Sequence, residues 1–379
     1  MTVPAATGRR QALAVLTLLL VALVQPGCYA AHYIAQQAVG QLQLLRIRRH
    51  VSDVIADPTT KPQVHDRLQL AMAARQFGID ELGLRGGAEF TRYVDTGGPV
   101  AYNLTAADPT ALRITRWRFP LVGSVPYLGF FKREDALTAA RELEKSGLDI
   151  YLRPVEGYST LGYFVSPIYA AMLETGLPGA SGDVRTVEVV LHEMAHSTAY
   201  ITSASELNES YATLVGIEGA SRFFRERGNA SESELVRELA RAGERQNIAF
   251  SAWLEPALKK AKDFYAQAAR EGWSRQRILQ ERADLFASIQ ASYRTAFPEG
   301  KRYRLLASGK LNNAVLLSFG VYHQSSNIQQ TLLDSVGRDL RSYINLYKQA
   351  QDRSDGAEWL HRLAKEHQLT LPPSEPPPP

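Results

Sequence analysis

The pattern of apolar and polar positions changes texture three times along the chain. From Ala35 to Arg49 the leucines Leu42, Leu44 and Leu45 sit among good helix formers, and Pro62 opens a second helix carrying Leu68, Leu70 and Ala74 toward a stop at Gly78. Residues 90–165 then read as short β-rich pieces, Arg113–Val122, Tyr127–Phe131 and Ile150–Arg153, punctuated by Gly and Pro and interrupted by one helix at Asp135–Lys145. From residue 183 helical spacing returns over Asp183–Tyr200, Asn208–Phe224, Glu232–Ala269 and Ser274–Ala296. In the last of these Leu279, Ala283, Phe286, Ile289 and Tyr293 recur at three- and four-residue steps, which marks a packing face. Pro256 removes a backbone donor and clashes with the preceding turn, so the third helix is expected to kink or split there. Pro372–Pro379 cannot bury apolar area and reads as a disordered tail. Helices segregated on either side of a β-rich middle make an α+β protein.

The N-terminus breaks from this pattern. Arg9 and Arg10 precede an apolar run from Ala12 to Val24, followed by Gln25, Pro26, Gly27 and Cys28. A membrane-spanning helix needs about 20 apolar residues, so a shorter run behind a basic stretch reads as an export signal over residues 1–27. Cys28 is the chain's only cysteine, which excludes an intrachain disulfide and a cysteine-built zinc knuckle. Its place directly after Gly27 resembles the lipobox of bacterial lipoproteins, although Gln25 stands three residues before it and Val24 one step too early. That resemblance implies an acylated Cys28, a membrane anchor and a place in the bacterial cell envelope facing the periplasm. Ordinary secretion by cleavage after Ala30, or an uncleaved anchor, are the alternatives.

Composition adds what the rest of the chain is not. With 45% hydrophobic and 22% charged residues, most of the 379-residue chain has the make-up of a soluble globular protein, long enough for two domains or one with large insertions. The net charge of +4 resides in five arginines among the first fifty residues, where there is no acid; the remainder carries 38 basic against 39 acidic groups. No Lys/Arg-rich run is interleaved with aromatics, so nucleic acid is not an expected partner. Arg46, Arg48 and Arg49 read as a solvated helix end, with contact to anionic headgroups as the alternative. Nothing in the sequence specifies an oligomeric state.

Chemistry concentrates at His192-Glu193-Met194-Ala195-His196, an H-E-x-x-H segment behind the apolar Val184, Val187, Val190 and Leu191. Four residues is just over one helical turn, so both imidazoles project from one face, close enough to share a Zn²⁺ at about 2.0–2.1 Å per bond. Glu193, about 100° round the helix from His192, is placed to act as a base toward metal-activated water rather than as a ligand. A catalytic zinc wants a third protein ligand and one open position. A histidine six residues after His196 would make a metzincin, but Thr202 stands there and Ala199 replaces the glycine, so that class is excluded. Of the downstream acids Glu206, Glu209 and Glu218, Glu209 fits best, near the start of a helix that can pack antiparallel to the first. Glu206 and Glu218 read as solvated or supporting carboxylates. In the expected chemistry Glu193 takes a proton from zinc-activated water and returns it to the leaving amine.

Asn208-Glu209-Ser210-Tyr211-Ala212 following H-E-x-x-H resembles the gluzincins, the thermolysin-like metallopeptidases. The resemblance implies a zincin-like fold with Glu209 as third ligand and the small Ala212 letting two helices approach; the His196-to-Glu209 gap is shorter than in thermolysin, so the connecting loop must be tight. The chain over residues 27–345 also resembles a bacterial family of predicted aminopeptidases. Gly27-Cys28-Tyr29, Gly40-Gln41-Leu42, Phe119-Pro120-Leu121-Val122-Gly123, Tyr158-Ser159-Thr160-Leu161-Gly162, the H-E-x-x-H and N-E-x-x-A segments and Asn312-Asn313-Ala314 carry it. It implies zinc and peptide-bond hydrolysis. Aminopeptidase action on a peptide or protein substrate leads; an endopeptidase of the same class, and a non-catalytic envelope scaffold with a structural zinc site, are the alternatives.

For the developing oxyanion Tyr322, His323 and Tyr158 are candidates, Tyr322 being favoured because it follows Asn312-Asn313-Ala314 where the resemblance also places a tyrosine; a core aromatic is the alternative. A substrate strand could pair with Gly123–Phe131 or Tyr158–Phe164, though either reads equally as a plain strand with turn glycines. The expected organisation is a signal peptide over 1–27, a helical N-terminal region over 28–90, a zincin-like domain over 91–345 with long helices inserted at 232–296, and the Pro-rich tail over 372–379.

Overall fold

The computed structural model of the chain describes residues 28–119, 123–155, 165–173, 177, 179–202, 204–299, 304–320 and 326–370; the expected leader and tail lie outside them. In chain order the elements are α1 (Cys28–Arg46), β1 (Arg49–His50), α2 (Val51–Ala56), α3 (Pro62–Asp80), β2 (Arg92–Val94) and β3 (Ala101–Ala107). Then come β4 (Trp117–Phe119), β5 (Gly123–Val125), β6 (Leu128–Phe130), α4 (Arg133–Lys145), β7 (Asp149–Val155) and β8 (Ile168–Tyr169). The remainder is helical: α5 (Ala170–Leu173), α6 (Gly179–Thr198), α7 (Ser205–Glu226), α8 (Ala230–Arg270), α9 (Arg275–Ala296), α10 (Arg304–Ser308), α11 (Asn313–Gly320), α12 (Ser326–Ser335), α13 (Leu340–Gln351) and α14 (Gly356–Thr370). The protein is α+β, mostly helical with small sheets. Among the described residues no helix is long and apolar enough to cross a membrane.

Two units share the chain discontinuously. The first comprises residues up to Arg46, Pro99–Tyr158 and Arg245–His323. Its sheet has the order β6-β3-β7 with antiparallel neighbours, Leu104 facing Leu128 on one side and Leu152 on the other; β4 and β5 form a separate antiparallel pair. The sequence pattern does not reveal β3 because this central strand buries Leu104, Thr105, Ala106 and Ala107 in succession, which erases the alternation of a half-exposed strand. Ala136, Ala139 and Ala140 let α4 lie close against Leu104, Leu128 and Phe130.

The helical part of this unit packs Phe250, Trp253, Leu254, Ala257 and Ala261 of α8 with Leu285, Phe286, Ile289 and Tyr293 of α9. Two expectations need correction here. Helix α8 runs unsplit through Pro256, because buried side chains on both sides of the proline share one core and their burial outweighs one lost donor. The packing face of α9 starts at Ile278 rather than Leu279, which is 37% exposed, and Ala283 is exposed as well. Asn312 and Asn313 belong to a buried polar bolt. Arg282 donates to both oxygens of Asp149 at 2.7 and 3.0 Å, the Asn313 backbone N–H donates to Asp149 at 3.0 Å, and Tyr265 donates to the Asn313 side chain at 3.0 Å. Asn312 donates to the Ile150 carbonyl at 3.0 Å, so each polar group of the bolt has a partner.

The second unit comprises Ile47–Gly98, Ser159–Glu244 and Gln324 onward. Its three-stranded sheet, β1-β2-β8, pairs Arg49 with Tyr93 antiparallel and Tyr93 with Ile168 in parallel. Helices α3, α6 and α7 pack together beside it, with Gly78 of α3 brought close to Leu191 and Met194 of α6. This unit carries the H-E-x-x-H segment.

Candidate metal centre

Helix α6 exists because of what it buries. Val184, Val187, Val189 and Val190 are β-branched and give little intrinsic helix propensity, but Val184, Val187, Val190, Leu191, Met194 and Ala195 are each 0% exposed. Both ends are tied. The buried Arg67 guanidinium donates to the carbonyls of Leu173 and Leu177 ahead of the helix, and a Cβ at Gly182 would collide with that guanidinium. At the far end the Thr198 hydroxyl donates to the Met194 carbonyl at 2.6 Å and accepts the Arg85 N–H at 2.8 Å.

On the opposite face of α6, His192 and His196 turn their Nε2 atoms toward each other at 3.1 Å, with the rings nearly perpendicular at 83°. Glu209 of α7 brings its oxygens to 3.8 Å from His192 Nε2 and 3.5 Å from His196 Nε2. The ligand atoms of His192, His196 and Glu209 all lie within 4.8 Å of one another, and no other such group of His, Cys, Asp or Glu occurs among the described residues. Tetrahedral ligands at about 2.0–2.1 Å from a shared ion sit about 3.3–3.4 Å apart. The observed separations bracket that value, so the donor set fits one divalent cation.

Glu209 is placed by three features whose roles spacing alone does not show. Buried Asn208 accepts the Ile201 N–H at 2.9 Å and donates to the Ile201 carbonyl at 2.8 Å, closing the tight loop that follows α6. Two turns beyond Glu209, on the same face of α7, Gly216 meets α6. A Cβ there would stand 2.8 Å from the Glu188 carbonyl and 3.3 Å from His192 Cβ, so the helices approach as closely as they do only because no side chain intervenes. Behind α7, Tyr211 stacks on Tyr347 with ring centroids 4.0 Å apart, and Tyr343 and Tyr347 both donate to Gln329 at 2.6 and 2.7 Å. Helices α12 and α13 thus back the segment that carries the carboxylate. The signals for these roles, an asparagine before the glutamate and a glycine seven residues after it, are legible only once the antiparallel packing is known.

The two histidines titrate in opposite directions. Burial, reinforced by the charge of His196, pushes His192 down to about 3, so it is neutral with a free lone pair at ordinary pH. Burial would also lower His196, but its hydrogen bond to Glu209 outweighs this and raises it. Burial opposes ionisation of Glu209, and the two histidines prevail to hold it low. Burial raises the Glu193 carboxyl, opposed by the charge of His196 and helped by that of Glu209. Tyr200, just past the end of α6, has its backbone N–H held by Gln351 at 2.8 Å. Its phenol is raised by burial and by the Glu209 charge and stays a protonated donor.

Other expected residues fall elsewhere. Glu218 pairs with Arg338 at 3.4 Å, and neither it nor Glu206 belongs to the metal-binding group. Tyr322, His323, Tyr158 and the Tyr158–Phe164 segment lie outside the described residues. Gly123–Phe131 forms β5 and β6, the latter an edge of its sheet. Cys28 is the first residue of α1.

No curated protein and no solved structure matches the chain. The family model described as "Putative aminopeptidase" matches residues 32–360, close to the span of the resemblance read from the sequence. With nearly its whole length accounted for in this way, the chain belongs to that putative aminopeptidase family.

Proposed function

We propose that the protein is a zinc-dependent peptidase of the gluzincin type, acting as an aminopeptidase in the bacterial cell envelope. The observation that carries this reading is the convergence of His192, His196 and Glu209 within 4.8 Å beside a glutamate of raised pKa. His192, His196 and Glu209 would hold a zinc ion, which would supply Lewis acidity toward a scissile carbonyl and toward the attacking water. Glu193 accepts the proton from the attacking water and delivers it to the departing amine. Tyr322 is the candidate donor to the oxyanion, from its place after Asn312-Asn313-Ala314 in the sequence. Export through residues 1–27 and acylation of Cys28 place the enzyme on a membrane surface.

Glu193→Gln keeps the three ligands and removes the proton carrier. It is expected to retain metal while peptide cleavage falls at least about 100-fold. Wild-type enzyme assayed on paired peptides with free and N-acetylated termini is expected to cleave the free form faster. Equal rates would assign endopeptidase action; full cleavage by Glu193→Gln would contradict the mechanism.

A further inference from the structure

Helix α1 is fixed by one face and bare on the other. On the inner face the Tyr33 hydroxyl donates to the Gly129 carbonyl at 2.9 Å and accepts the Gly129 N–H at 3.0 Å, which ties the helix to the edge strand β6. A Cβ at Gly40 would collide with the Phe131 ring, and Ala38 and Leu44 are buried. On the outer face Val39 is 51% and Leu42 37% exposed, with Gln43 and Arg46 exposed beside them. The inner contacts leave the helix no freedom to roll these residues inward.

Single exposed hydrophobics are ordinary on a protein surface, but these two keep a register with the expected anchor. At about 100° per residue, Val39 lies about 20° and Leu42 about 40° from the angular position of Cys28, and Arg46, eighteen residues on, returns to it after five whole turns. The line from Cys28 to Arg46 is about 27 Å long at 1.5 Å per residue. The apolar run Ala12–Val24 stops three residues short of Cys28, so acyl chains or a retained leader would both join the chain at the start of that line. Charge points the same way. No acid occurs among the first fifty residues, and Lys132 lines, with Val39, Phe130, Phe131 and the half-buried Asp135, a groove of about 370 Å³ along the flank of α1.

We propose that the outer face of α1 lies on an anionic lipid surface, with Val39 and Leu42 seated at the headgroup boundary and Arg46 and Lys132 against the headgroups. An interfacial helix of this kind needs one apolar face and basic residues rather than the length and apolarity to cross, which no described helix has. This rests on the membrane placement of Cys28 in the proposed function and deepens it: the anchor becomes one end of a flat contact that sets how the first unit stands on the membrane.

The test uses the chain's single cysteine. The purified mature chain is coupled through Cys28 to maleimide-lipid vesicles of phosphatidylcholine with about 30% phosphatidylglycerol, an anionic surface. Leu42→Trp and, separately, Val39→Trp report contact by quenching from brominated lipids, over the baseline of the four native tryptophans. The added fluorescence is expected to fall at least about twofold, as for a ring at the acyl boundary. Leu279→Trp, at an equally exposed position on α9, is expected to stay unquenched. Arg46→Glu with Lys132→Glu is expected to reduce the quenching of Leu42→Trp, and thermal melts check that each variant folds. No quenching at either α1 position, equal quenching of Leu279→Trp, or indifference to the two charge reversals would overturn the proposal; self-association of the uncoupled chain that buries Leu42→Trp would give the face to a second copy instead. Coupling supplies the tether chemically, so the result does not depend on acylation in the cell. Quenching beside a wild-type chain that stays soluble on cell fractionation would sink the anchor alone; membrane partition without quenching would sink the helix contact alone.

Discussion

Asn208 holds the loop that leads into Glu209 of the candidate metal centre. It satisfies both backbone groups of Ile201 from a position 1% exposed, and the next residue is the carboxylate of the group. Asn208→Ala leaves the buried Ile201 N–H without its acceptor, at about 1–3 kcal/mol, while the Ile201 carbonyl keeps the Ala204 N–H. It should also weaken zinc binding at least about tenfold, as loss of an orienting contact does. Denaturant unfolding of the metal-free protein and competitive zinc titration read the two effects separately; a variant as stable and as tight as wild type would show the loop to be held otherwise. His192, Glu193 and His196 were legible in the sequence because their geometry is local, one turn of one helix. Asn208 was not, because its partner is set by the course of a loop, which spacing does not encode.

At the scale of elements the decisive contact is the seam between α6 and α7. Gly216 and Gly219 replace side chains where the helices cross, and added Cβ atoms would stand 2.8 Å from the Glu188 carbonyl and 2.9 Å from a Leu191 methyl. Gly216→Ala presses on backbone, which cannot rotate aside. The variant should lose about 1–3 kcal/mol by overpacking, and zinc affinity should fall as Glu209 is levered from the histidines. Wild-type affinity in Gly216→Ala would mean that the seam does not set the site. Helices α3, α4 and α6 to α9 were readable from periodicity, to within a few residues at their ends, whereas α2, α5 and α10 to α14 were not read. Strand β3 and the continuity of α8 were not read either. A strand buried on both faces loses its alternation, and the penalty of Pro256 is local whereas the core that overrides it is assembled from α8 and α9 together.

The whole molecule divides into units that each gather three separated stretches of chain, so no compositional boundary marks them. Periodicity reports neighbours along a helix, while the backing of α7 by α12 and α13 joins residues more than a hundred positions apart, as Gln329 and Leu207 show. The proposed placement in the cell envelope is tested at this scale too. If Cys28 is acylated, the wild-type chain should partition with membranes and Cys28→Ala should be released into the soluble fraction with its zinc content unchanged. Equal fractionation of the two would remove the lipid anchor from the account.

The most direct measurement is elemental analysis of the purified mature chain beside His196→Ala and Glu209→Gln, each dialysed against the same zinc-buffered solution. About one zinc per wild-type chain and a small fraction of that in either variant is the predicted result, since each substitution removes one of only three protein ligands. Wild-type protein that takes up no zinc, or a Glu209→Gln variant that holds as much as wild type, would contradict it.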